Sequence, residues 1–170
     1  MRRTDSPVSY YRSVPKTLLH RYTSSPRAFP VLASLYPPLL GSGIRIRHVA
    51  PDWTRGELNM HVAPWTANTN GTAFGGALFA ATDVLYGALL SGQLGGGYQV
   101  WTKSATIDFR SPGRGRLRCV VEVPHAEADS IREQLTTRSS TSVVHTAVVT
   151  DSRGRTVVEA RHTMFIRRRK

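Results

Sequence analysis

The stretch "NTNGTAFGGALFAATDVLYGALL", residues 68–90, is small and apolar except for one carboxylate, Asp83. No other residue between Glu57 and Lys103 bears a formal charge. Asp83 stands seven positions past Gly76, about two turns of an α-helix. On a helix starting near Ala73 it shares a stripe with Gly76, Ala80, Gly87 and Leu90, while Phe74, Ala77, Leu78, Ala81, Leu85 and Leu89 form another. Small neighbours let a ligand or a second backbone come close, and a partly desolvated carboxylate becomes more basic. Asp83 is therefore the candidate general base. The alternative is a solvated charge on a wet face, but such a face usually carries several charges. Gly75 and Gly76 open the same helix, where the N–H groups of the first turn lack acceptors and glycine leaves them approachable. That arrangement can stabilise an oxyanion. Glycines kept for packing explain the pair equally well.

These residues need a frame. "PRAFPVLASLYPPLL" spaces Phe29, Leu32, Leu35 and Leu39 as on a helix, closed by Pro37, Pro38 and the turn Gly41-Ser-Gly43. "GIRIRHVA" and "ELNMHVAPW" alternate with the period of two of half-buried strands and predict an antiparallel hairpin across "PDWTRG". After the glycine-rich loop comes the long helix "ALFAATDVLYGALLSGQL". The strands "YQVWTKSATIDF" and "RLRCVVEVPHA" follow, then a short helix, "ADSIREQL". "TSVVHTAVVT" and "TVVEARHTMFI" flank the turn "DSRG" as a second hairpin. Helices and strands alternate too rarely for a doubly wound parallel sheet. The order predicts an α+β fold in which one antiparallel sheet wraps around one long central helix.

The 170 residues suit one domain, residues 28–170, preceded by a basic, irregular arm over residues 1–27 with a weak helix around Thr17–Tyr22. The arm has no continuous apolar core of a signal peptide, and no run is long enough to span a membrane uninterrupted, so a cytoplasmic protein is expected. A mitochondrial-type presequence is the minority reading of the same arm. Cys119 is the single cysteine and alternates with Leu117, Val121 and Val123, which predicts a buried strand residue. The net charge of +12 admits nucleic acid, an anionic membrane or a phosphate-bearing ligand. The charge is nearly all arginine and spread along the chain, without a nucleic-acid motif, so no nucleic-acid partner is expected. The six histidines stand singly, without metal-ligand spacing, and His61 and His145 read as strand decoration. No G-x-S-x-G elbow is present.

Asn68, Gly71, Gly75-Gly76 and Asp83, followed by "VWTKSATIDFRSPGRGRLRCVVEV", resemble the hotdog-fold acyl-CoA thioesterase superfamily, nearest its branch called domain of unknown function 4442. The resemblance runs from about residue 40 to 167. It implies a hotdog fold and hydrolysis of an acyl-CoA-type thioester, with coenzyme A entering only as part of the substrate. Asp83 would activate water or attack the carbonyl, the Gly75 N–H would polarise that carbonyl, and Asn68 would orient the water or acyl group. Gly76 and Phe74 would border the substrate. Phe74 stands where the phenylacetyl-CoA-type enzymes commonly carry histidine, and that departure keeps a non-catalytic acyl-thioester or lipid binder as the alternative. Thr102 or Ser104 would assist from a facing subunit, since the superfamily forms dimers or dimers of dimers with sites at the interface. Arg110, Arg114 and Arg116, around one turn, would meet the phosphates of coenzyme A. Solvated loop arginines fit that cluster as well.

Overall fold

A computed structural model describes residues 25–169. The expected arm over residues 1–27, with its weak helix, lies outside the described residues except for residues 25–27. Two short helices come first, α1 (Phe29–Leu35) and α2 (Pro37–Gly41), each with proline in its first turn, where the missing N–H has no intrahelical role. The single stripe read through Phe29, Leu32, Leu35 and Leu39 breaks at Tyr36, whose extended backbone (φ −62°, ψ 123°) is what a residue before proline prefers. Leu35 is consequently 61% exposed, and Ser34 is buried instead. The Ser34 hydroxyl donates to the Pro30 carbonyl at 2.6 Å and accepts the Ile46 N–H at 2.8 Å.

The sheet consists of β1 (Ile44–Val49), β2 (Arg55–His61), β3 (Tyr98–Phe109), β4 (Arg116–Glu122), β5 (Ser140–Asp151) and β6 (Thr156–Arg168). Its order is β1-β2-β4-β5-β6-β3, with every neighbour antiparallel. Both predicted hairpins, β1–β2 and β5–β6, are present. The long helix α3 (Gly75–Leu94) touches all six strands, so the sheet curves around it. A further helix, α4 (His125–Thr137), closes the end of the core with Ala128, Ile131 and Leu135 buried. Period-two patterning sends Leu58 and Met60, Leu117 and Cys119, and Ala160, Met164 and Ile166 onto α3. Burial pushes the Cys119 thiol up to about 12, which makes it an inert core residue. The hotdog arrangement of one antiparallel sheet around one long helix is thus the fold.

The sheet covers more of α3 than the two stripes foresaw. Ala77, Leu78, Ala81, Leu85 and Leu89 are buried, and Leu90, read onto the Asp83 stripe, is buried with them. Phe74 leaves the core stripe altogether: it is the N-cap residue, with extended backbone (φ −63°, ψ 131°), and it is 57% exposed. Gly76, Ala80, Asp83, Val84, Gly87 and Ala88 make up the face the sheet leaves open. Among the described residues α3 alone is long and apolar enough to cross a membrane, and half of that stretch is buried within the protein.

Candidate active site

Asp83 projects from the open face of α3 toward β3. The Thr102 hydroxyl donates to Asp83 Oδ1 at 2.6 Å. A β-bulge between Thr102 and Ser104 breaks the pairing of β3 with β6 at Lys103, and it accompanies an inward Thr102 and an exposed Ser104. Both were candidates; the bulge brings Thr102, and not Ser104, to the carboxylate of its own chain. A second neighbour comes from β6, where His162 Nδ1 lies 3.5 Å from Asp83 Oδ1. The imidazole is 1% exposed and the carboxylate 40%, so the acid is wetter within one chain than its small neighbours suggested. Burial holds the His162 imidazole below its usual range, opposed by the nearby Asp83 charge.

At the start of α3, Gly75 and Gly76 lie against aromatic rings. A Cβ at Gly75 would meet Phe109 Cζ at 3.2 Å, and one at Gly76 would meet Phe74 Cε1 at 2.5 Å. The Phe74 ring therefore lies over Gly76, and the first-turn N–H groups open between two exposed aromatic side chains. Asn68 is engaged in the preceding loop. Its Oδ1 accepts the Asn70 N–H at 2.9 Å and the Thr72 N–H at 3.2 Å, while its Nδ2 donates to Thr72 Oγ1 at 2.9 Å. This is the Asx-type bonding that shapes tight loops, and Gly71 supplies the left-handed residue (φ 66°) the turn requires. Arg114 buckles the same loop by donating to the Gly71 and Asn70 carbonyls at 2.9 and 3.3 Å. Arg110 faces Asp108 and Glu159 at 3.3 and 3.6 Å. Arg116 is exposed at the start of β4. The arginine cluster thus lies toward the N-terminal end of α3, with two of its members already bonded within the chain.

An open groove of about 930 Å³ runs between α3 and β3. Asp83 and Thr102 line it, together with apolar Val84, Val100 and Met164, and toward the C-terminal end of α3 it reaches Arg167 and Arg169. Those two arginines were not among the candidates. Neither was His162, nor Thr82, whose Oγ1 lies 3.1 Å from His162 Nε2. The signal for His162 was present in the alternation of β6: it falls in phase with Val158, Ala160, Met164 and Ile166, the inward set. Opposite it across the sheet stands His145, in register on β5 and stacked on Tyr86 with ring centroids 4.0 Å apart.

Solved structures share this fold. PA5026 of Pseudomonas aeruginosa, a protein of unknown function described as a probable thioesterase, superposes with a TM-score of 0.76 at 22% identity, over 82% of this chain and 93% of its own. Thioesterase HI1161 of Haemophilus influenzae gives a TM-score of 0.64 at 15% identity, over 85% and 91%. The PaaI protein of the E. coli phenylacetic acid degradation operon gives 0.59 at 19%, over 82% and 89%. No curated protein matches the sequence. Residues 26–166 match the family described as a domain of unknown function (DUF4442), and the chain, with its hotdog fold, belongs to that family.

Proposed function

We propose that the protein hydrolyses an acyl thioester, carried by coenzyme A or an acyl carrier, with Asp83 as the general base. The observation that carries this reading is the Asp83 carboxylate, held by the Thr102 hydroxyl in a groove on the open face of α3 that is lined by both apolar and polar side chains. The groove takes the acyl group. Water attacks the thioester carbonyl as Asp83 accepts its proton; the C–S bond breaks, and the departing thiolate takes that proton from Asp83.

A donor for the developing oxyanion comes from the start of α3. Gly75 and Asp83 are eight residues apart on one helix, about 12 Å along its axis, too far to act on one carbonyl. A second copy of the chain supplies the missing half: its Gly75 N–H faces the first copy's Asp83, and two equivalent sites result. The edge strand β3, paired among the described residues only with β6, is the seam of this homodimer.

One observation favours a second reading. The Phe74 ring over Gly76 puts an apolar group where a polar one would assist the carbonyl, as in a protein that binds an acyl thioester or lipid without cleaving it. Thiol release from short, aromatic and long acyl-CoAs, with wild type and Asp83→Asn, separates the two. Turnover lost in a folded Asp83→Asn protein is the expected result. No turnover on any substrate, with acyl-CoA still raising the melting temperature, leaves the binding protein.

A further inference from the structure

Hydrogen-bond bookkeeping around His162 leaves one proton unplaced. The Thr82 hydroxyl has a single hydrogen, and it points to the Phe79 carbonyl at 2.8 Å. Toward His162 Nε2, 3.1 Å away, Thr82 can therefore only accept, so Nε2 carries a hydrogen. In a neutral imidazole that leaves Nδ1 with a bare lone pair. Nδ1 is buried without a hydrogen-bond partner and lies 3.5 Å from Asp83 Oδ1. An ionised Asp83 and a neutral His162 would thus set two acceptors face to face, with the imidazole out of reach of water.

We propose that Asp83 and His162 hold one proton in common between Oδ1 and Nδ1, with Thr82 fixing the His162 tautomer, so that His162 is the positioning residue that governs when Asp83 becomes a free base. Either group can hold it, the carboxyl donating to Nδ1 or the imidazole donating to Oδ1, once the 3.5 Å between them closes to hydrogen-bond length. The two groups then titrate as a unit. Among the other groups facing His162, His145 also carries a buried nitrogen, Nε2, without a hydrogen-bond partner. His145, opposite on β5, is pushed down to about 4, chiefly by burial, and is neutral. Its stacking partner Tyr86, from α3, donates its hydroxyl hydrogen to Glu127. On β3 the residue in register is Ala105, and Phe79 covers the imidazole from α3 with ring centroids 5.6 Å apart. The catalytic consequence rests on the thioesterase reading; the shared proton does not.

The test is nitrogen NMR of the His162 imidazole from about pH 4 to pH 9, with wild type, Asp83→Ala and Thr82→Val. In wild type Nε2 stays protonated, and Nδ1 resonates as a hydrogen-bonded nitrogen until the pair loses its proton, then moves toward a bare lone pair. In Asp83→Ala, Nδ1 has the bare-lone-pair shift at every pH above imidazolium formation. In Thr82→Val the hydrogen moves from Nε2 to Nδ1. An Nδ1 shift identical in wild type and Asp83→Ala throughout the titration overturns the proposal, whether or not any thioester is cleaved. If one is cleaved, His162→Gln moves the acid limb of kcat/KM by about one unit; an unmoved limb removes the positioning role, since a merely structural change alters stability and not that limb.

Discussion

At the scale of single residues, Thr102 and His162 act on the same carboxylate oxygen from two strands, one through a short hydrogen bond and one through a buried ring nitrogen. Thr102→Val removes a neutral donor to an acid, a bond that contributes about 1.5 kcal/mol. The expected outcome is a loss of about tenfold in kcat/KM and a melting temperature lower by a few degrees. His145 supplies a stability test. Its pKa is lowered from 6.5 to about 4, chiefly by burial. The unfolded chain therefore binds a proton there more readily than the folded one, so stability is full above about pH 6.5 and declines as pH falls toward 4. Thermal melts across that window should show the decline, and His145→Phe, which keeps an aromatic ring against Tyr86, should flatten it. Asp83 was legible in the sequence because it is one charge in an uncharged run. His162 was legible only as an inward residue of β6, because alternation shows neither the register that sets it beside His145 nor the helix face it meets. Asn68 shows the converse: its spacing was legible, its engagement in the loop was not.

At the scale of elements, strand alternation and the length of α3 were enough to read the sheet, both hairpins and the central helix. What the pattern could not carry was curvature. A sheet touching α3 with all six strands buries Leu90, which a helical wheel assigns to the open face. The break at Tyr36 needed the restriction that two following prolines impose. Close approach between elements is likewise invisible in a pattern. A Cβ at Gly92 would run into the Trp53 ring, and Trp53 itself occupies the left-handed region (φ 62°) in the β1–β2 turn. Gly92→Ala gains about 1 kcal/mol of helix propensity, yet it drives a methyl into a buried ring, which costs about 1–3 kcal/mol. Chemical denaturation should show a net loss of stability, and tryptophan fluorescence should shift as Trp53 is displaced.

At the scale of the whole molecule, the proposed division of the site between two copies has a measurable signature. Gly75 is the first residue of α3, where proline fits the helix and the extended Phe74 before it, so Gly75→Pro deletes one N–H with the helix intact. Deleting such a donor lowers kcat by about 100-fold or more, and Asp83→Asn should be at least as damaging. Mixing the two inactive chains in equal amounts should restore about a quarter of wild-type activity, because half the dimers are mixed and each has one intact site. A mixture as inactive as its components would place both groups in a single-chain site. The Ser34 bond to Ile46 bears on the same scale. A six-stranded open sheet has two rims, and one of them, β1, has an outward N–H already engaged by α1. Among the described residues only the β3 rim remains open to strand addition, and two such rims meeting consume each other. Growth by strand addition therefore terminates at two, and a chain with Ser34→Ala, its β1 rim uncapped, would lose part of its protection against filaments.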